Sequence, residues 1–260
     1  MRIAGVGFNC IDIYDNLNKY YPTGNSVDFI VHMSRFGAQT AMVSVVGDDP
    51  YGELMLDMLR KENVDVSHMP VREGRTAVFK MDLNGNDRVH KEKIEGVMAD
   101  FALTPQDREF IAGCRAMHTN LSGKVEAELA GFRSGGVEVV FDFSTRTTRE
   151  IAGPVLPDTD YAFFSYPQED DYILEFIRWA QERGPKVAVV TLGEHGSLAY
   201  DGDRLYREGI VPAEVVNTVG AGDSFCAGFM YAALSGRTVQ ESLRSGAETA
   251  AKVVAKFEPY

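Results

Sequence analysis

The sequence predicts an α/β fold built on a mainly parallel sheet with helices on both faces. Two observations carry this. Apolar, β-branched runs of strand length alternate with amphipathic runs of helix length over most of the 260 residues, the pattern of strands buried on both faces. Hydrophobic residues make up 45% and charged residues 25% of the chain, a balance that allows one large core and argues against disorder. In chain order, the strand-like runs are residues 2–7, 40–46, 115–119, 137–143, 160–165 and 186–192. Between them, residues 26–36, 51–61, 105–112, 125–134 and 170–183 have the spacing of helices. A hairpin of 197–200 and 204–207 turns at Asp201-Gly202-Asp203, and two final helices, about 223–234 and 239–256, pack after it.

Two regions break the alternation. Residues 10–22 and 69–95 have strand character with turn punctuation, the second around Leu83-Asn84-Gly85-Asn86-Asp87, which reads as a hairpin turn. Neither has a helix to complete a crossover, so they are expected to form a small antiparallel sheet outside the main one. No repeat or linker divides residues 1–260, and a single domain is expected. A small sheet carrying Val78, Phe79, Met81 and Val89 would expose a sticky face, which predicts a homodimer that covers it.

The formal net charge of −12 argues against nucleic acid or an anionic membrane as partner, since both need a basic footprint. No apolar run approaches the ~20 residues that span a bilayer, and the N-terminal residues read as a strand and not as a signal peptide. A cytoplasmic location is therefore expected. Cys10, Cys114 and Cys226 lie far apart without metal-ligand spacing and read as reduced thiols, and the five histidines are equally scattered.

The chemistry is concentrated in Asn217-Thr218-Val219-Gly220-Ala221-Gly222-Asp223-Ser224-Phe225. Gly220 and Gly222 let the backbone turn sharply at the start of a helix, where successive N–H groups can converge on one anion. Asp223 follows at once. A carboxylate beside an anion cradle is useful when it accepts a proton from a nucleophile approaching that anion, which points to phosphoryl transfer to an alcohol. Other phosphate motifs fail: Gly5-Val6-Gly7 lacks the third glycine of a dinucleotide fingerprint, and Gly123-Lys124 has neither the glycine nor the hydroxyl of a P-loop.

The segment from Asn217 to Met230 resembles the C-terminal signature of the ribokinase-like (PfkB-type) family of ATP-dependent sugar kinases, Asp-Thr-x-Gly-Ala-Gly-Asp followed by small residues, here Ala227 and Gly228. Asn217 departs from the usual Asp. The resemblance implies a three-layer α/β/α sandwich with a small β-sheet lid over the sugar, formed by about 10–22 and 69–95 and often shared across a dimer. It implies ATP and Mg²⁺ as cofactors, Asp223 as catalytic base, and the amides of Gly220, Ala221 and Gly222 as the anion hole. Gly7-Phe8-Asn9-Cys10-Ile11-Asp12 is similar to the family's early Gly-x-x-x-x-Asp segment, which implies sugar contacts at Asn9 and Asp12.

Thr23-Gly24-Asn25-Ser26-Val27-Asp28 is similar to the family's Gly-Gly-x-x-x-Asn and implies sugar contacts at Gly24, Asn25 and Asp28. With Asp28 in place of Asn, hydroxyl recognition there is expected to be acceptor-only or charge-based, and a carboxylate facing the core requires a partner. Thr191, Gly193 and Gly196 resemble the Thr-Leu-Gly-x-x-Gly turn that lies against the nucleotide. The Asn-x-x-Glu motif associated with Mg²⁺ is degenerate at 165–169 and leaves Glu169 as the metal candidate. Residues 47–52 resemble a further signature, expected to be a strand-to-helix turn capped by Asp49.

Segments at 47–52, 86–89, 95–103 and 165–170 are similar to a branch of the family that acts on sugar–amine (Amadori) conjugates, which implies phosphorylation of a conjugate's 6-hydroxyl. Asp28, Glu92 and Glu95 would suit an amine-bearing tail. The alternatives are a sugar kinase of the fructokinase or ribokinase type, and a non-catalytic sugar- or nucleotide-binding regulator, against which the intact Asp223 argues.

Overall fold

A computed structural model of the chain describes residues 1–84 and 87–260. The strands in chain order are β1 Arg2–Val6, β2 Cys10–Tyr14, β3 Lys19–Thr23, β4 Gln39–Val43, β5 Val46–Gly47, β6 Val64–His68, β7 Val71–Arg72, β8 Val78–Asn84 and β9 Asp87–Ile94. They continue with β10 Ala116–Asn120, β11 Glu138–Asp142, β12 Tyr161–Ser165, β13 Val187–Thr191, β14 Ser197–Tyr200 and β15 Leu205–Glu208. The helices are α1 Asn25–Arg35, α2 Pro50–Lys61, α3 Pro105–Ala112, α4 Leu129–Ser134, α5 Arg149–Ala152, α6 Asp171–Gln181, α7 Ala221–Leu234 and α8 Val239–Val254.

Nine strands form the main sheet in the order β15-β14-β13-β12-β11-β10-β1-β4-β6. All pair in parallel except the β13–β14 and β14–β15 pairs, the expected hairpin. Side chains alternate across it, as a two-residue period requires. Val139, Phe141, Ala162, Phe164, Ala188 and Val190 pack on one face with Ile111 of α3, Phe132 of α4 and Phe176 of α6. Val140, Phe163, Val187 and Val189 pack on the other with Phe29 of α1, Leu59 of α2, Phe229 of α7 and Leu243 of α8. The result is three layers.

Strand order reverses at β1, whose neighbours are β4 on one side and β10 on the other. In an open α/β sheet, such a switch point leaves a crevice at the carboxyl ends of the strands. Over that end stands a second sheet, ordered β3-β2-β8-β9, in which β2 pairs antiparallel with β3 and parallel with β8. The flanking strands β8 and β9 pair as a hairpin, while Gly85 and Asn86 of the expected turn lie outside the described residues.

The small sheet, expected to be antiparallel, is mixed, since β2 and β8 run parallel, and four other expectations need correction. Val64–His68 is a strand of the main sheet; as an edge strand it alternates, with Asp65 and Ser67 exposed, and so lacks the continuous apolar run by which the other strands were read. Residues 69–77 do not join the small sheet, and β7 pairs instead with β5. The helix expected over 125–134 is a 3₁₀ turn followed by the short α4. Val78 and Met81 are buried within the chain, whereas Val89 is exposed, so most of the apolar face assigned to a dimer contact is already covered.

The turn at 47–52 is built around Asp49, which caps α2. Its carboxylate accepts from Gly52 N at 2.9 Å, Thr76 N at 3.0 Å and Thr76 Oγ1 at 2.6 Å. This ties the start of α2 to the segment that leads into β8. Among the described residues no helix is long and apolar enough to cross a membrane.

Candidate active site

The two sheets enclose a cleft of about 610 Å³. One wall comes from the small sheet and the start of α1, with Cys10, Asp12, Thr23, Asp28 and Phe79. The other comes from the carboxyl ends of β11–β13 and the start of α7, with Asp142, Arg146, Thr191, Gly222 and Asp223.

At the α7 end, Gly220 is the cap residue and adopts the left-handed conformation, φ 72° and ψ 0°. A Cβ there would lie 2.4 Å from the Cβ of Pro259, so both the backbone angle and the space demand glycine. A Cβ on Gly222 would meet nothing within 4 Å, so this cleft-wall position is open. The first amides of a helix have no intrahelical acceptor. The Ala221 N–H is met by the Thr218 carbonyl at 3.3 Å, and Ala221 is not on the cleft wall, unlike Gly220 and Gly222. Asp223 stands in the first turn, where the helix dipole favours its ionised form.

Four carboxylates share the cleft: Asp12, Asp28, Asp142 and Asp223. The Asn25 amide joins two of them, its Nδ2 donating to Asp142 Oδ2 at 2.9 Å and to Asp223 Oδ1 at 3.0 Å. Asp28 is 2% exposed and finds the partner its burial requires in Thr23, whose hydroxyl donates to Oδ2 at 2.7 Å. Burial, then the charges of Asp223 and Asp12, push the Asp28 carboxyl well above the usual range against the pull of that hydrogen bond. Burial also raises Asp142, opposed by hydrogen bonds from the Ser144 N–H and Asn25. The Cys10 thiol, raised by burial and by Asp12 and Asp28, lies with its sulfur 3.6 Å from Asp12 Oδ1. Arg146 is the one Lys or Arg among the described residues of the cleft wall.

The sequence profile of the pfkB family carbohydrate kinases matches residues 16–120 and 160–260. The chain belongs to this family. The fructoselysine 6-kinase of Escherichia coli is 38% identical to this kinase over 97% of both chains, and the fructosamine kinase FrlD of Bacillus subtilis is 32% identical over 97% of this chain and 90% of its own. Among solved structures, the ribokinase of Arabidopsis thaliana complexed with ribose and ATP superposes with a TM-score of 0.81 at 19% identity, covering 97% of this chain and 91% of that one. A putative ribokinase II of E. coli in complex with ATP and magnesium gives 0.79 at 20% identity, covering 99% and 93%. These similarities establish the ribokinase-like sandwich with its small separate sheet, and the kinase class.

Not every residue singled out in the kinase sequence reaches the cleft. Asp12, Gly24, Asn25, Asp28, Thr191, Gly220, Gly222 and Asp223 line it. Asn9 does not. It is fully buried, and its Nδ2 donates to Ser44 Oγ at 2.6 Å and to the Val45 carbonyl at 2.9 Å, which fixes the β1–β2 connection to the end of β4. Gly193 and Gly196 form the turn between β13 and β14 with positive φ of 57° and 90°, off the cleft wall, whereas the Thr191 hydroxyl is on it and lies 3.0 Å from that of Ser165.

Glu169 also lies off the wall, and both its oxygens accept from Arg207, at 2.6–3.1 Å. Glu92 pairs with Lys80 and Glu95 with Lys93 and Lys124, so neither is an uncommitted charge, and neither lines the cleft. Sequence reasoning missed Asp142 and Arg146. The available signal was an Asp-x-Ser-x-Arg run where a parallel strand ends, the side of an α/β sheet on which ligands bind.

Proposed function

We propose that this kinase transfers the γ-phosphate of ATP to the 6-hydroxyl of a ketose joined to an amine, the fructoselysine type of sugar–amino acid conjugate. The observation that carries the transfer chemistry is the Asp223 carboxylate beside the open first turn of α7, in one cleft with Asp12 and Asp28. The substrate class is supported by the two relatives above, which match nearly the whole chain and are named for fructoselysine and fructosamine.

In this reading the sugar lies against the small sheet, which acts as its lid, with hydroxyls at Asp12 and Asp28. The 6-hydroxyl meets Asp223, which takes its proton as the oxygen attacks phosphorus. The amides of Gly220 and Gly222 face the transferred phosphoryl group, where charge develops, and Arg146 stands on the cleft wall to offset it. Thr191 lies toward the nucleotide.

Magnesium enters this reading as part of the nucleotide substrate. Among the described residues no group of three His, Cys, Asp or Glu is placed to hold a metal ion, and Glu169 is committed to Arg207, so phosphate oxygens and water supply its ligands. Activity is expected to vanish on exhaustive chelation and to return with Mg²⁺. The reading also pairs two chains through the edge strands β3 and β9, where Tyr20 and Val89 are exposed. Sedimentation at micromolar concentration gives a dimer mass if it holds and a monomer mass if it does not.

The test of the chemistry is Asp223→Asn. Turnover is expected to fall by ~10²–10⁴, the range for losing a positioned proton acceptor, with nucleotide affinity little changed. A variant that keeps more than a third of wild-type kcat removes Asp223 as the base.

A further inference from the structure

We infer that Asn25 is a positioning residue for the Asp223 carboxylate and that Asp142 holds it in place. The inference rests on the reading of Asp223 as the base. Residues 25, 142 and 223 are remote in sequence, and the fold brings them together at the start of α1, the end of β11 and the start of α7. Asn25 follows Gly24, whose φ of +132° and close approach to the Phe8 carbonyl, 2.8 Å from where a Cβ would sit, admit only glycine. That turn delivers the Asn25 side chain to the cleft.

A side-chain NH₂ has two hydrogens, and the two carboxylates take both, at 2.9 and 3.0 Å. Charge dictates this orientation of the amide, because the opposite one would turn its carbonyl oxygen toward two acids. Asp142 is in turn fixed by the backbone. Its Oδ1 accepts the Ser144 N–H at 2.7 Å, and Ser144, with φ +51°, is pinned through its carbonyl to the Ser165 N–H at 2.7 Å. The line of support runs from the ends of β11 and β12 through Asp142 and Asn25 to Asp223.

The terminal torsion of an Asp side chain is soft, so a donor fixed on Oδ1 sets the plane in which the carboxylate meets a hydroxyl. Two electrostatic effects accompany it. The Asn25 N–H favours ionised Asp223, and the negative charge of Asp142 disfavours it. Removing Asn25 and neutralising Asp142 must therefore move the ionisation of Asp223 in opposite directions, which loosened packing would not do.

The experiment measures kcat and both KM values against pH for wild type, Asn25→Ala, Asn25→Ser and Asp142→Asn, with Asp223→Asn as reference. Asn25→Ala is expected to lower kcat roughly tenfold with each KM within about threefold of wild type, and to move the acid limb of kcat upward by about half a pH unit or more. Asp142→Asn is expected to move that limb downward. Asn25→Ser, which keeps a small polar side chain at the helix start but cannot span both acids, shifts in the direction of Asn25→Ala and serves if the alanine variant does not fold. Acid limbs that stay in place, or that move the same way for Asn25 and Asp142 variants, overturn the inference. Loss of activity in Asp223→Asn with normal Asn25 variants defeats this inference alone, whereas an active Asp223→Asn defeats the base assignment beneath it.

Discussion

The side-chain amide of Asn217 donates to the backbone carbonyl of Phe257 at 2.8 Å, while its own oxygen accepts the Val219 N–H at 3.1 Å. An aspartate, usual at this position in the family's signature, could make the second bond but not the first. The bond latches residues 257–260 across the loop that leads into α7. Pro259 lies against Gly220, the Phe257 ring packs against Tyr14 and Tyr21, and the Tyr260 hydroxyl donates to the Pro22 carbonyl at 2.6 Å. The loop, the latch and the small sheet thus share one packed cluster with Val219 and Met81.

Asn217→Asp is accordingly expected to destabilise the fold by roughly 2–3 kcal/mol, because it sets a buried carboxylate against a carbonyl that has lost its donor. Urea denaturation checks this. A change below about 0.5 kcal/mol would mean that the segment is held by its aromatic contacts alone.

Stability should also depend on two histidines. His118 is fully buried, stacked on Phe29 at 4.2 Å, and burial pushes its pKa down to about 3. Burial, only partly opposed by the Pro259 carbonyl, lowers His32 to about 4. Both imidazoles stay neutral in the fold where the unfolded chain would bind a proton. Their contribution is complete above pH ~6.5 and is lost as pH falls from there toward the folded values, by up to ~1.4 kcal/mol per pH unit for each. Asp142 and Asp28, raised in the fold, act in the opposite sense. His118→Leu leaves those carboxyls in place, so the slope of stability between pH 6 and 4.5 should flatten by about one proton. An unchanged slope would contradict the assignment.

Asp28 tests how the sugar is read. Its carboxyl is buried, shifted toward the protonated form and bonded to Thr23, and only its Oδ1 lacks a partner in the fold. Where it holds its proton, such a carboxyl offers a donor as well as an acceptor, whereas the sequence implied an acceptor-only or charge-based contact. Asp28→Asn preserves both functions and is expected to change kcat/KM by less than about threefold, equally for the lysine conjugate and for free fructose. Asp28→Leu should cost both substrates tenfold or more, the equivalent of ~1.4 kcal/mol. A selective loss for the conjugate in Asp28→Asn would restore the charge contact with its tail.

The contrast between Asp28 and Asp142 shows what a sequence holds and what it hides. The sheet and most helices were legible because the continuous apolar runs of strands buried on both faces and the 3.6-residue period of helices are written locally, in runs such as Val187–Thr191 and in α6. That Gly220, Gly222 and Asp223 would stand together at the start of a helix and on one cleft wall was legible because they are consecutive or nearly so in the chain. Asp142 was hidden by one residue of strand boundary: an expected strand through 143 buries its carboxylate in a sheet, whereas β11 ends at Asp142 and presents it to the cleft. Asn9 was misplaced because spacing after Gly7 does not say which way the chain turns, and the φ of +98° at Gly7 sends that amide into the core. The latch at Phe257 joins residues 40 positions apart, with no local pattern to announce it.

The most direct measurement is a coupled assay of ADP release by the wild-type kinase with fructoselysine, other Amadori conjugates, free fructose and ribose, with the phosphorylated carbon identified by NMR. The expected result is phosphorylation at the 6-hydroxyl, with kcat/KM for the lysine conjugate at least about tenfold above either free sugar, a discrimination of ~1.4 kcal/mol in the transition state. A preference for fructose or ribose over every conjugate would contradict the substrate assignment, and absence of turnover with the whole panel would contradict the account of the cleft as a sugar-phosphorylating site.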